Sequence, residues 1–230
     1  MKISILTLFP EMFSGPFDYS IIKRAQEKNL VDILYINIRD YGLGKYQVVD
    51  DKPYGGGVGM LLKVDVLDRA IEAAKDKKLN SKEQKVILMT AAGKTFNQQK
   101  AHDFSELKHI IIVCGHYEGF DERIKSFIDE EISIGDFITT GGEIPAMLIT
   151  DAVVRLIPGV LKSEATSHES FSLKDEQSTF LEFPQYTTPA DYKNMKVPEI
   201  LTSGNHKAIE TWRKEQAKAI TKNLRPDLLK

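Results

Sequence analysis

The sequence predicts an α/β protein built on a parallel sheet, and two features of its middle region carry that prediction. The first is a set of bare apolar runs; the second is the glycine-bearing loop after each of them. Ile110-Ile111-Ile112-Val113-Cys114 stops at Gly115-His116-Tyr117-Glu118-Gly119. Ile132-Ser133-Ile134 stops at Gly135-Asp136-Phe137, with Thr139-Thr140-Gly141-Gly142-Glu143 close behind. Strands buried on both faces of a parallel sheet read as such runs because neither face meets water. Open α/β sheets place ligands outside the carboxyl ends of their strands. One of these glycines alone would read as a turn residue. Gathered at successive strand ends, they predict a pocket walled by main chain and suited to a flat small molecule.

The other elements follow in order. Residues 2–9 read as a strand stopped by Pro10. Ser20 is a candidate cap for a helix over 21–28, and 31–38 is a partly alternating strand. Residues 39–60 form a long glycine-rich loop. A helix is expected over 65–75, with Val66, Leu67, Ala70, Ile71 and Ala74 on one side. A strand over 86–90, a helix over 97–104 and a strand over 109–114 come next. Residues 145–156 read as a helix with proline tolerated in its first turn. Ile149, Ala152, Val153 and Leu156 make one stripe, while Ile144, Met147, Leu148 and Val154 cover other sides. A helix apolar nearly all round is expected to be buried, here in a subunit interface. Pro158 ends it. The polar stretch after it reads as a linker, and a helix over 205–222 dominates the remainder. The expected domains are 1–160 and 181–230, joined by a flexible linker over 161–180.

Composition narrows the function classes. The 230 residues are 42% hydrophobic and 28% charged, which predicts a sizeable core. No apolar run approaches the ~20 residues of a membrane span, and Met1-Lys2-Ile3-Ser4-Ile5-Leu6 lacks a signal-peptide layout. Cys114 is the only cysteine, so an internal disulfide is excluded. A cytoplasmic protein is the expectation. The net charge of −2 is unevenly spread: residues 193–230 carry nine Lys/Arg against four acids, a balance of +5, which leaves −7 on the first 192 residues. A basic RNA-facing region on an acidic body fits that asymmetry.

Individual motifs each have a functional and a bland reading. Tyr54-Gly55-Gly56-Gly57-Val58-Gly59 reads as a phosphate cradle or as a tight surface turn; the lysine of a P-loop is missing after it. Arg155 lies four residues after Asp151, which suits an ion pair, and its planar fork also suits an anion or a purine edge. Glu169 stands in a polar segment where a solvated side chain is ordinary. His116 and His168 lack ligand spacing, so no metal site is expected on them. Lys214, Lys218, Lys222 and Arg225 make a basic row, either solvated or phosphate-contacting, with Ile209, Trp212, Ala219 and Ile220 expected to pack inward.

Taken together, these blocks resemble the bacterial tRNA (guanine-N1)-methyltransferases of the SPOUT superfamily. The similarity runs nearly end to end. It includes Leu8-Phe9-Pro10-Glu11-Met12-Phe13, Pro53-Tyr54-Gly55-Gly56-Gly57-Val58-Gly59-Met60, Cys114-Gly115-His116-Tyr117-Glu118-Gly119, Gly141-Gly142-Glu143, Asp151-Ala152-Val153-Val154-Arg155 and Ser203-Gly204-Asn205-His206 before Trp212-Arg213. The resemblance implies a parallel sheet tied in a deep trefoil knot, helices on both faces, and a small helical C-terminal domain. It also implies a homodimer whose active site is shared between subunits. The implied substrate is the anticodon stem-loop of tRNA, methylated at the guanosine of position 37. The implied donor is S-adenosylmethionine, with magnesium as a helper ion that no ligand cluster locates.

Carried over by motif, the donor pocket comprises Met89, Thr90 and Ala91; Gly115, Tyr117 and Glu118; and Ile134, Gly135, Asp136, Phe137, Ile138, Thr139, Gly141, Gly142 and Pro145. The family's arginine falls on Arg155 and its general-base aspartate on Glu169. The chain departs from the family pattern in four places. The base is a glutamate in a loop one residue shorter, and a Ser-Pro turn is replaced by Thr90-Ala91. Thr188 stands where an arginine is usual, and the segment between Phe171 and Phe180 is longer.

Overall fold

A computed structural model describes residues 1–175 and 178–229, the side chains of 163 and 164 excepted. The chain divides into two compact units, Met1–Leu161 and Lys162–Lys230.

The first unit is built on a five-stranded parallel sheet. Its strands are β1 (Lys2–Thr7), β2 (Asp32–Asn37), β5 (Gln84–Thr95), β6 (His109–Val113) and β7 (Glu130–Ser133), in the spatial order β2-β1-β6-β5-β7. The two-residue strands β3 (Asp50–Asp51) and β4 (Leu61–Leu62) pair separately. Helices α1 (Ser20–Glu27), α2 (Val64–Ala74), α3 (Gln98–Ser105) and α4 (Glu143–Val154) connect and cover the sheet.

The alternation of side chains along a strand explains the layers. On β6, Ile110 and Ile112 join Ile3, Ile5, Ile87 and Ile132 in one core, covered by Ala101 and Phe104 of α3 and Ala146, Ile149 and Val153 of α4. Ile111 and Val113 point the other way, to Leu6, Val86 and Leu88 beneath Val66, Leu67, Ala70 and Ile71 of α2. Every residue of β6 is buried, which is why its sequence carries no polar alternation. The predicted face of α2 is the buried one in full.

Two local expectations need correction. Ser20 makes no capping hydrogen bond and sits at φ 56°; the helix is entered through Tyr19 in extended conformation. By contrast, Asn97 caps α3 through its side chain, which accepts from Lys100 N at 2.9 Å. The strand expected over 86–90 runs to Thr95, because β5 breaks register against β7 between Met89 and Lys94 and then resumes. The excursion behaves as a bulge: residues between the two paired stretches swing out of the ladder. Gly93 is required where the strand returns, since a Cβ there would lie 2.4 Å from Ile132 N. Helix α4 divides its apolar residues between the core of the single chain and an outer side. Ile149, Val153 and Val154 are buried, but Ile144 is 53% and Leu148 46% exposed in the single chain.

The second unit consists of α5 (Ser163–Ser167), the pair β8 (Leu173–Lys174) and β9 (Thr179–Phe180), the pair β10 (Asp191–Tyr192) and β11 (Met195–Lys196), α6 (Glu199–Thr202) and α7 (His206–Leu224). The stretch read from composition as a linker therefore carries a helical turn and a short hairpin. On α7 the buried residues are Ala217 and Thr221, and Ala219, expected to face inward, is exposed. The phase is set by Thr221, whose hydroxyl accepts from Leu181 N at 2.8 Å and donates to Ala217 O at 2.7 Å.

Candidate active site

A cavity of about 380 Å³ opens in the first unit, where the loops after β5's first stretch, β6 and β7 meet. This is where ligands bind in open parallel sheets. Met89 ends the first paired stretch of β5, and Thr90 and Ala91 come from the bulge after it. Gly115, Tyr117 and Glu118 follow β6. Ile134, Gly135, Phe137, Ile138, Thr139, Gly141 and Gly142 follow β7, and Pro145 comes from the first turn of α4. Of the residues carried over to the donor pocket, Asp136 alone is not part of the lining; it is exposed.

The loops are held by main-chain contacts at distances that exclude side chains. Gly142 N donates to Gly115 O at 2.8 Å. A Cβ on Gly142 would stand 2.6 Å from Gly115 N and 2.7 Å from the Cα of Cys114, so the two loops close on each other only because position 142 has none. Thr139 Oγ1 donates to Gly141 O at 2.8 Å, and the Ser133 hydroxyl donates to Gly135 O and accepts from Gly135 N, both at 3.1 Å. Tyr117, a non-glycine residue, is held at φ 59°, a left-handed conformation that persists where surrounding structure over-determines it.

The rim is apolar and open: Phe137 is 57% and Ile138 83% exposed. Glu118 N donates to Met60 O at 3.1 Å and Leu62 N to Gly119 O at 2.9 Å, so the residues after the glycine-rich loop clamp the loop after β6. Tyr54 and Val58 in that glycine-rich loop are almost fully exposed, with Gly55, Gly56, Gly57 and Gly59 all at positive φ. That is the geometry of a surface turn.

The lining also includes His116, which the sequence analysis weighed only as a metal ligand, and Phe120, Ile124 and Ser133, which it gave no role. Phe120 was legible in hindsight, since Gly115 has room for its ring only by lacking a Cβ, which would sit 2.7 Å from the ring edge. Asp121 caps the 3-10 turn Glu122–Phe127. Hydrogen bonds from the Arg123 side chain hold its carboxyl below the usual range.

Arg155 is the C-terminal cap of α4 in the first unit and is half-buried; its N–H donates to Asp151 O at 3.3 Å. Glu169 belongs to the second unit, half-buried between α5 and β8, where its carbonyl accepts from Ser172 N at 3.1 Å. The second unit has its own cavity of about 710 Å³, lined by Arg213, Lys214 and Lys218 of α7 among others. There the Arg213 guanidinium lies 4.8 Å over the ring of Phe183 and the Lys218 ammonium 5.7 Å over that of Phe180. Among the described residues, no group of three or more His, Cys, Asp or Glu is placed to hold a metal ion, and no helix is long and apolar enough to cross a membrane.

A doubly covered parallel sheet with a main-chain-walled cavity at its carboxyl edge defines an α/β enzyme that takes a small organic ligand. Comparison with known proteins makes this specific. The family model described as tRNA (Guanine-1)-methyltransferase TrmD matches residues 1–230. A tRNA (guanine-N(1)-)-methyltransferase of Staphylococcus epidermidis is 53% identical over 230 residues, covering 100% of this chain and 91% of that protein. Proteins of the same name from Dictyoglomus turgidum and Carboxydothermus hydrogenoformans are each 51% identical over 100% of this chain, and the matches cover 90% and 88% of those proteins. The chain belongs to the tRNA (guanine-N1)-methyltransferase family, whose members are enzymes that take the methyl group from S-adenosylmethionine.

Proposed function

We propose that the first unit's cavity holds S-adenosylmethionine and that the chain methylates N1 of the guanosine at tRNA position 37. The observation that carries this reading is the wall itself: three loops from three strand ends meet with glycine wherever a Cβ would collide. Such a wall presents main-chain groups and apolar side chains to a flat, neutral ring system, as adenine requires. Met89, Thr90 and Ala91, the residues 115, 117 and 118, and the loop 134–142 with Pro145 would hold the donor.

When bound, S-adenosylmethionine supplies a methyl group on a positively charged sulfur, so the protein need only position it and activate the acceptor. Guanine N1 carries a proton at neutral pH and is a poor nucleophile. Glu169 accepts that proton, and its extra methylene offsets the shorter loop before it. Arg155 stabilises the negative charge that moves onto O6. Holding the base in line contributes the proximity effect, worth up to ~7–11 kcal/mol in favourable cases. The anticodon loop is single-stranded, so the base enters the pocket at low unstacking cost. The half-exposed Ile144 and Leu148 of α4 support a homodimer in which the Glu169 of a second copy completes the site. The knotted topology, the tRNA-binding role of the second unit and a cytoplasmic setting belong to the same reading.

Single-turnover methyl transfer to tRNA transcripts tests it. Guanosine at position 37 should be methylated and adenosine not. Glu169→Gln should slow transfer by roughly 10²–10⁴-fold with donor binding intact. Undiminished transfer would remove Glu169 as the base. Arg155→Ala with full chemistry but weaker RNA binding would reassign that residue to docking.

A further inference from the structure

Behind the cavity wall lies a buried polar cluster that the methyl-transfer scheme does not use. Glu143, in the first turn of α4, is 1% exposed. Its Oε1 accepts from the hydroxyl of buried Thr7 at 2.7 Å, and that hydroxyl accepts from Phe9 N at 2.9 Å. Thr7 thus commits its one proton to Glu143, so Oε1 is an acceptor. The other oxygen, Oε2, is buried without a hydrogen-bond partner, and so is Nδ1 of His116. Both atoms border the same small space: a Cβ on Gly141 would lie 2.4 Å from Oε2 and 2.9 Å from Nδ1. The imidazole is confined by rings on two sides, with centroids of Phe9 and Tyr117 each 4.8 Å away. Cys114, which adjoins Glu143, has its thiol pKa raised by burial and by the charge of Glu143.

A buried carboxylate oxygen and a buried imidazole nitrogen that converge on one gap are costly apart and complementary together. We infer that Glu143 is a positioning residue for the donor site. In the folded protein in solution its Oε2 accepts a hydrogen bond from Nδ1–H of His116, closing the gap at Gly141 that separates the two unpartnered atoms in the structure. The bond fixes the tautomer and ring orientation of His116, which lines the cavity. It thereby holds the loop after β6 against the Gly141-Gly142 turn. Glycine at 141 is needed for this contact, since a methyl group would occupy the gap. Glu143 itself does not line the cavity and acts through His116.

The test uses the full-length protein with ¹⁵N-labelled histidine. Ring ¹H–¹⁵N correlations of His116 at neutral pH, without donor, should show the proton on Nδ1. In Glu143→Gln the amide can donate instead, and the proton should move to Nε2. S-adenosylmethionine KM should rise roughly tenfold, the loss of about one buried hydrogen bond, with kcat nearly unchanged. His116→Asn, whose amide can donate from the place of Nδ1, should lose less donor affinity than His116→Leu. An unprotonated Nδ1 in the native protein, an unchanged tautomer in a folded Glu143→Gln protein, or equal losses for His116→Asn and His116→Leu would overturn the inference. The tautomer is read without donor, so its failure is distinct from failure of the methyl-transfer reading on which the KM arm rests.

Discussion

Around the cavity of the first unit the wall is main chain, whereas the cavity of the second unit is lined by long charged side chains. In the first unit, glycines stand at backbone-to-backbone distances and β6 beneath them is fully buried. In the second, the only buried residues among those described are Phe180, Ala217 and Thr221, and Arg213 and Lys218 of α7 rest on the rings of Phe183 and Phe180. The contrast fits the proposed division of labour, a small donor in the first unit and tRNA at the second. A small rigid ligand is discriminated by shape, which needs a wall that does not move. A polyanion is gripped by distributed charge, which tolerates flexible arms and depends on salt.

The stiffest point of the first wall is Gly142, and the largest effect is expected there. Gly142→Ala places a methyl group on the backbone of Gly115 and Cys114, which have no room to yield. Donor affinity measured by calorimetry should fall at least ~100-fold, with a lower melting temperature. A mild effect would show that the wall is softer than its packing.

Acid should weaken the first unit through His109. This fully buried imidazole lies between Ser4 Oγ at 2.9 Å and Gln84 Oε1 at 2.7 Å. Burial first, and then the charge of Lys2, lowers its pKa from 6.5 to about 4, against an opposing pull from Asp76. Between those values the unfolded chain binds the proton and the folded chain does not. The stabilisation is therefore complete above the unfolded value and lost as the pH falls through the window to about 4. It amounts to roughly 3 kcal/mol. Urea unfolding across that range should show the slope, and His109→Asn should flatten it.

A smaller effect is expected from the second unit's charges. Replacing Lys214 and Lys218 by alanine should weaken tRNA binding roughly tenfold and reduce the salt slope by about 1–2, with donor affinity unaltered. An unchanged slope would leave these lysines as a solvated face. The smallest effect belongs to Gly204→Ala. This position has φ 73°, and a methyl group added to it would meet nothing within 4 Å. Only backbone strain is then felt, about 1 kcal/mol by thermal melting.

Much of the fold was legible in the residues. The bare apolar run of β6 and the stripe of α2 follow from local period and chemistry, whereas residue 97, read as part of helix α3, is its cap. The glycine loops announced the cavity because main chain must approach main chain there. The bulge in β5 was hidden, since Thr90-Ala91-Ala92-Gly93 gives no local sign that pairing resumes beyond it. The hairpin of β8 and β9 was hidden by polar composition, and the inward face of α7 was mistaken at Ala219 because a threonine hydroxyl, not an apolar stripe, sets its phase.

Local sequence thus determined the main strands and helices of the first unit and which loops are rich in glycine, because those preferences act over a few residues. Tertiary structure alone decided the strand order β2-β1-β6-β5-β7 and the meeting of Thr7 with Glu143, 136 residues apart. It also decided the seat of His109 against Ser4, 105 residues away. Such contacts form only when the whole sheet closes, and no local pattern encodes which distant partner a buried polar atom will find.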